Sequence, residues 1–526
     1  MRLQLTVLCC LSFACRQDDD DGVPSETGAV DLFAAEPAVT PPETLVGGAR
    51  RVVVEALEPA ELTLQLDGPG GIRTVTWPAD TSFDVPLVGL RAQAAHTLTL
   101  TLASDGTSST RTVDVTGDTA PPNLPQIDVL TLDPTRVSGH TLFAASSPSS
   151  PGAWLLLLDA EGVPVWWSFQ QVRLGGLELT DDGTLLGLGD YDILELDWLG
   201  ETVMHLTSRD DGPGGIPVPD ASFLHHEVLR TDDGRLLALD HVALDVPDLP
   251  ADYDDLGTLG PATIADDRVL ELDDAGNVLQ AWSLAERLPT SRISFDSLEP
   301  APALGTALDW AHANAIEPDD DGGMVVSLRH QDALVKLDAK GDVAWILGDP
   351  AGWPSPWSDQ LLAADGPVVW PYHQHAPELR READGLHVLL FDNVNQGHTP
   401  YTASDGERPS RLVEYVVDEV AGTVRQAWSF ELDDEGPLAA IALGDADHVA
   451  DGHVLGVWGL LTAEDGTPNG QRGRGNLSAR IAEVDPTTDT VVFDLRIGSI
   501  RSTSTDGWSV YRAARLPRLH PQATSE

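Results

Sequence analysis

Three short stretches put imidazoles where a β-sheet would ordinarily carry valine or leucine. They read FLHHEVLRTDDG (223–234), DWAHANAIEPDDDG (309–322) and PYHQHAPELRREADG (371–385), and each ends in an Asp-Gly pair suited to a tight turn. Side chains along a strand alternate between faces. Counted back from the turn glycines, His226 and Asn314 stand eight residues away, and His312 and His375 stand ten. The four share one parity, and His225 has the other. Arg329 returns on the strand that follows His312. Imidazoles in such places are hydrogen-bonded turn or surface groups, metal ligands, or members of a polar set lining a common channel. His373 and His375 form the best pair for a metal, with Glu227 and Glu378 near but no carboxylate in the same register. The matched parity favours the channel.

The strands that must carry these residues belong to a repeat. Its first half is a turn and an apolar strand, as in DDGTLLGLGD (181–190), DDGRLLALD (232–240) and DDGGMVVSLR (320–329). Its second half is strand, turn, strand, as in LELDDAGNVLQAW (270–282) and VKLDAKGDVAWILG (335–348). Six such units alternate to the end of the chain. A unit of about four short antiparallel strands cannot bury both faces alone, and radial stacking solves this. The pattern predicts an all-β chain with a six-bladed β-propeller over 129–515. A small β-sandwich of Ig-like type over 49–118 precedes it, with linkers at 16–48 and 119–128 and a tail at 516–526. Surplus residues in the third unit, around 245–267 and 285–308, are expected to form long loops beside the histidine hairpin.

The net charge is 31 − 84 = −53, which repels phosphate backbones and anionic lipid, so a nucleic-acid partner is excluded. The three cysteines are Cys9, Cys10 and Cys15, leaving no disulfide or thiol nucleophile in the body of the chain. The start, MRLQLTVLCCLSFAC, reads as an export signal of lipoprotein type over 1–15, with Cys15 lipidated. That places the protein in the periplasm or at the cell surface, held to the outer membrane only by its lipid. Arg472 and Arg474 lie in a Gly-rich loop that is either solvated or guides an anionic substrate. His448 reads as a turn histidine.

FLHHEVLRTDDGRLLAL, the segment from DWAHANAIEP to VAWILG (309–348), HQHAPEL and SRLVEYVVDEVAGTVRQAWSF together resemble the bacterial arylsulfate sulfotransferase family over roughly 125–460. The resemblance implies a small β domain ahead of a six-bladed propeller. It also implies transfer of a sulfuryl group from an aryl sulfate to a phenol, without the nucleotide sulfate donor, through a sulfated histidine in a ping-pong cycle. Carried over by motif, His375 is the nucleophile and His226 the proton carrier for the phenol oxygens. His312, Asn314 and Arg329 supply donors to the sulfonate oxygens. His373 has no role in the resemblance and is placed with Asn314 on the substrate-binding side. The partners expected are a small aryl sulfate and a phenol, no cofactor and no metal, with a homodimer allowed. The family's enterobacterial members carry a cysteine pair that this chain lacks. The competing readings are a hydrolase on the same scaffold, as a sulfatase or with a bound metal, and a non-catalytic ligand-binding surface lipoprotein.

Overall fold

The structure is a computed structural model and describes residues 31–209, 214–394, 409–433, 436, 438–464, 467–468, 476–498 and 507–526. Cys15, Arg472 and Arg474 lie outside these residues. Every long element among them is a strand, and the helical pieces are single 3-10 turns.

The N-terminal unit is one five-stranded sheet built on a long hairpin, Ala49–Gly68 and Gly71–Val88, that bends at register shifts near Glu55–Leu62. Its core of alternating Val and Leu also buries Leu32 and Phe33, and a short strand at Ala38–Thr40 joins its edge. Packing on this sheet therefore begins inside the stretch expected to be a linker.

Beyond it, among the described residues, stand six mainly antiparallel sheets, with a short parallel edge strand in the second and in the fifth. The third runs through Leu224–Arg230, Leu236–Asp252, Asp255–Leu272 and Val278–Ser283. The fourth runs through Ala313–Pro318, Met324–Leu328, Ala333–Leu337 and Val343–Gly348, and the fifth opens with His375–Glu382. The inner strands of successive sheets touch in order and close a ring, the second sheet reaching the third through Leu185–Gly189. Each interface between neighbouring sheets holds its own apolar cluster, six in all, because every sheet buries Leu, Val and Ile on both faces.

Both ends of the chain fasten the ring. Ile127–Leu132 adds the outer strand of the sixth sheet, and Ser509–Leu516 supplies the inner strand of the first. The final residues continue onto the N-terminal sheet: Thr524 N–H donates to Thr76 O at 2.7 Å, and the His520 ring lies against Trp77 at 5.3 Å. They are packed rather than a free tail. One expected loop also differs. Residues 245–267 extend the paired strands of the third sheet into a long hairpin, closing through Asp252–Asp255. Its alternating residues favour pairing over an open loop. Residues 285–308 do form the expected connection, anchored by buried Leu288 and Ile293.

Candidate active site

The histidines sit where the inner strands break their ladders. In the third sheet pairing jumps from His225–Leu239 to Val228–Ala238, in the fourth from Ala313–Leu328 to Ala315–Ser327, and in the fifth from His375–Phe391 to Glu378–Leu389. At or beside these bulges the backbone takes positive φ at non-glycine residues: His226 at 59°, His312 at 50°, His373 at 54° and Ala376 at 46°. Such conformations are costly and gather at functional sites, where they re-aim side chains. The bulges also end strict alternation, so parity along the sequence no longer decides where a side chain points.

Gln374 fixes the fifth-sheet histidines. Its fully buried amide donates to Ser327 Oγ at 3.1 Å, Leu328 O at 3.2 Å and Ala333 O at 3.0 Å. Its backbone carbonyl accepts from Asn314 Nδ2 at 2.8 Å. Asn314 is thus fully buried against the peptide that carries the two histidines. On one side of this anchor, His373 stacks on Phe295 at 5.1 Å, with Nε2 3.4 Å from Phe295 O. On the other, His375 Nδ1–H donates to Gly444 O at 2.8 Å. That bond leaves the Nε2 lone pair free, and Nε2 is buried with no hydrogen-bond partner. Burial and the Arg512 charge, then those of His312 and Arg329, push His375 well below the usual imidazole range. Because the two rings face different surroundings, the His373–His375 metal pair considered from sequence is not assembled.

In the fourth sheet, Trp310 is fully buried and its indole N–H donates to Arg292 O at 2.8 Å, which holds the strand start. His312 Nδ1–H donates to Asp309 Oδ2 at 2.6 Å, the arrangement of a carboxylate orienting a proton-carrying imidazole. Burial alone would raise Asp309, but His312 and His330 hold it far below the usual carboxylate range. His330 Nδ1–H donates to Asp309 O at 2.6 Å, and its Nε2 accepts from Arg329 Nη1 at 2.7 Å. Arg329 lies just past the strand, in the turn Arg329–Gln331, and also reaches Asp296 Oδ2 and Ile441 O, each at 3.4 Å.

His226 and His312 meet edge to face at 4.8 Å, and behind them His225 Nδ1 lies 2.7 Å from His226 Nδ1. Tyr511 spans the gap to the fifth sheet, 5.1 Å from His375 and 6.3 Å from His226, with its hydroxyl buried and unpartnered. Arg512 pairs with Glu227 and donates to Asn314 O at 3.4 Å. Burial still pushes Glu227 up to about 7. Beside Arg512 and Glu227 a cavity of about 290 Å³ continues past Glu178, Asp445 and Asp447. The structure therefore brings His226 and His375 to either side of Tyr511 with His312 against His226, sets Arg329 and His373 beside them through His330, and places Asn314 behind the wall. Sequence reasoning missed Asp309, His330, Gln374, Tyr511 and Arg512. The first three lie inside the quoted motifs or next to them. Tyr511 and Arg512 come from the far end of the chain.

An all-β ring with a buried imidazole and guanidinium centre on its inner strands defines a class, and sequence comparison says which. The chain belongs to the arylsulfotransferase (ASST) family, whose model matches residues 134–512. It is 27% identical over 341 residues to arylsulfate sulfotransferase AssT of Escherichia coli O6:H1 (strain CFT073), covering 54% of this chain and 53% of that protein. It is 26% identical over 345 residues to AssT of Lelliottia amnigena, covering 55% and 54%. The chain thus spans about half the length of the curated relatives it matches. Among solved structures, streptogramin B lyase aligns at 11% identity and a TM-score of 0.29, covering 63% of this chain and 94% of its own.

Proposed function

We propose that the ring is a six-bladed β-propeller behind an Ig-like domain, and that its inner face transfers a sulfuryl group from an aryl sulfate to a phenol. The reading is carried by His375, whose one hydrogen bond fixes the proton on Nδ1 and leaves a buried, unpartnered Nε2 lone pair. Nε2 attacks sulfur, the sulfur–nitrogen bond forms, and the sulfur–aryl oxygen bond breaks. The leaving phenolate takes a proton from the His226–His312 pair, with Asp309 orienting His312. An incoming phenol returns that proton as its oxygen attacks sulfur, and nitrogen leaves. The transferred group is planar and loosely bonded, so catalysis is positioning and charge stabilisation. Arg329, His373 and Tyr511 surround its path, and Asn314 holds the peptide beneath it.

The test is release of 4-nitrophenol from its sulfate with and without added phenol. Phenol-dependent release supports transfer. Release that ignores phenol favours the hydrolase, and none at all favours a binding protein.

We also propose export and lipid anchoring at Cys15. Cys15→Ala then moves the protein from membranes to the soluble fraction, and an unacylated mature N-terminus at Arg16 or later overturns the idea.

A further inference from the structure

We infer that His225, His241 and Asp267 form a site for a divalent first-row transition ion of the zinc class, behind the transfer centre. The three come from adjacent strands of the third sheet, and His241 stands directly opposite Asp267 in the ladder. They are 1%, 4% and 0% exposed. One donor atom from each lies within 4.8 Å of the others. His225 Nε2 is 3.5 Å from Asp267 Oδ1, and His241 Nε2 is 2.7 Å from the same oxygen. Ligand atoms around a tetrahedral zinc bonded at about 2.0–2.1 Å lie roughly 3.3 Å apart. The first spacing therefore fits as it stands, and the second needs a small opening.

The unmet bonding is what points to an ion. His225 Nε2, both nitrogens of His241 and both oxygens of Asp267 are buried without a well-formed hydrogen bond, and the one close approach among them is the His241–Asp267 ion pair at 2.7 Å. Buried polar atoms are ordinarily satisfied, and here one poorly satisfied donor atom from each of three residues lies within 4.8 Å of the others. The flanking acids show the contrast. Asp266 accepts from Ser283 Oγ at 2.6 Å and from Ala285 N–H at 2.9 Å, and Arg268 turns to Asp240. Among the described residues, Asp267 has no hydroxyl, backbone or arginine donor of this kind and faces only the two imidazoles. In the other histidine–aspartate group, at Asp309, His312 and His330, both Nδ1 protons are spent on Asp309, and only Asp309 Oδ1 is left buried without a partner. Phe223 lies against both imidazoles, 5.8 Å from His225 and 5.9 Å from His241, and closes one side with an apolar wall. Two neutral imidazoles and one carboxylate are a zinc-type donor set with one position left open.

The ion has a consequence that rests on the sulfuryl-transfer reading, although the site itself does not. With His225 Nε2 on the metal, its proton is confined to Nδ1 and is donated to His226 Nδ1 at 2.7 Å. His226 then carries its own proton on Nε2, the form that can protonate a leaving phenolate. The ion acts as a positioning device for the proton carrier.

Metal content is the test, because it is read without any activity. Full-length protein is stripped with chelator, returned to zinc and titrated against a chromophoric chelator. One tight zinc per chain is expected. His241→Ala and Asp267→Asn should weaken it on the order of 100-fold or more, as for loss of a ligand. Asp384→Asn, in the exposed Glu382–Asp384–His387 group, should keep it. X-ray absorption at the zinc edge of the unaltered protein covers the case where a variant does not fold: a shell of two imidazoles with carboxylate oxygen supports the site, and any shell without two imidazoles overturns it. Zinc uptake no higher than in Asp267→Asn overturns it as well, as does equal loss in Asp384→Asn.

Discussion

An imidazole attacks only through a nitrogen whose lone pair is uncommitted, and the two fifth-sheet histidines differ in how that nitrogen is placed. His375 donates from Nδ1 to Gly444 O and leaves Nε2 bare, with the Tyr511 ring centred 5.1 Å from its own. His373 lies on Phe295, with its Nδ1 buried and its Nε2 toward a carbonyl. Donor alone should therefore leave one sulfuryl group, about 80 Da, on the peptide that holds PYHQHAPELR. His375→Ala should abolish both labelling and transfer, whereas His373→Ala should keep the label and slow turnover. Intact mass and peptide mapping check this, and a label on His373 or His226 would contradict it. In the proposed reaction Arg329 would meet the charge that develops on the sulfonate oxygens, so Arg329→Ala should lower kcat/KM on the order of 10²- to 10³-fold. Its guanidinium also holds His330 Nε2, so Arg329→Lys should recover only part of that loss.

The strand Ser509–Leu516 shows what an element contributes that its own sequence conceals. It enters the ring from the far end of the chain and takes the inner place in the first sheet. That puts Tyr511 between His375 and His226. The Tyr511 hydroxyl has no hydrogen-bond partner, so Tyr511→Phe removes no native bond. The thermal midpoint should barely move, while single-turnover labelling of His375 should slow by about 10-fold or more if the hydroxyl donates to the reacting oxygens. An unchanged labelling rate would remove Tyr511 from the chemistry. No parity or motif near residue 511 announced this role, because the signal is topological: a closed ring needs a strand from the other terminus. The repeat itself was legible, since Asp-Gly turns and Val-Leu strands fix sheets of this kind locally. The histidines on the third, fourth and fifth inner strands were legible too. Asn314 shows the limit. Its parity matched that of the histidines, but the bulge between Ala313 and Ala315 turns its amide onto Gln374 O. The role of Gln374 was hidden because a glutamine between two histidines resembles a spacer until its amide is seen inside the fourth sheet. Residues 245–267 are surplus to the repeat spacing, which reads as a loop, and only their pairing across the third sheet shows that they lengthen its hairpin.

At the scale of the whole ring, the inner strands concentrate carboxyl groups that the excess of acidic residues elsewhere cannot neutralise. Glu317 is pushed up to about 8 by burial and then by the charges of Glu227 and Glu378. Burial raises Asp445 to about 6, against the Arg512 charge. A carboxyl whose folded pKa lies above its unfolded value binds more protons when folded, so its contribution to stability falls as pH rises between the two values. For Glu317 that window runs from the ordinary glutamate pKa of 4.5 up to about 8. Glu317→Gln removes the titration and keeps the shape. The variant's thermal midpoint, relative to the unaltered protein, should climb by a few degrees as pH rises from about 5 to about 8 and level off beyond that. The buried histidines titrate in both proteins and cancel in the difference. A midpoint difference that stays flat across this range would mean that Glu317 is ionised throughout, and that the inner strands tolerate their carboxylates as charges.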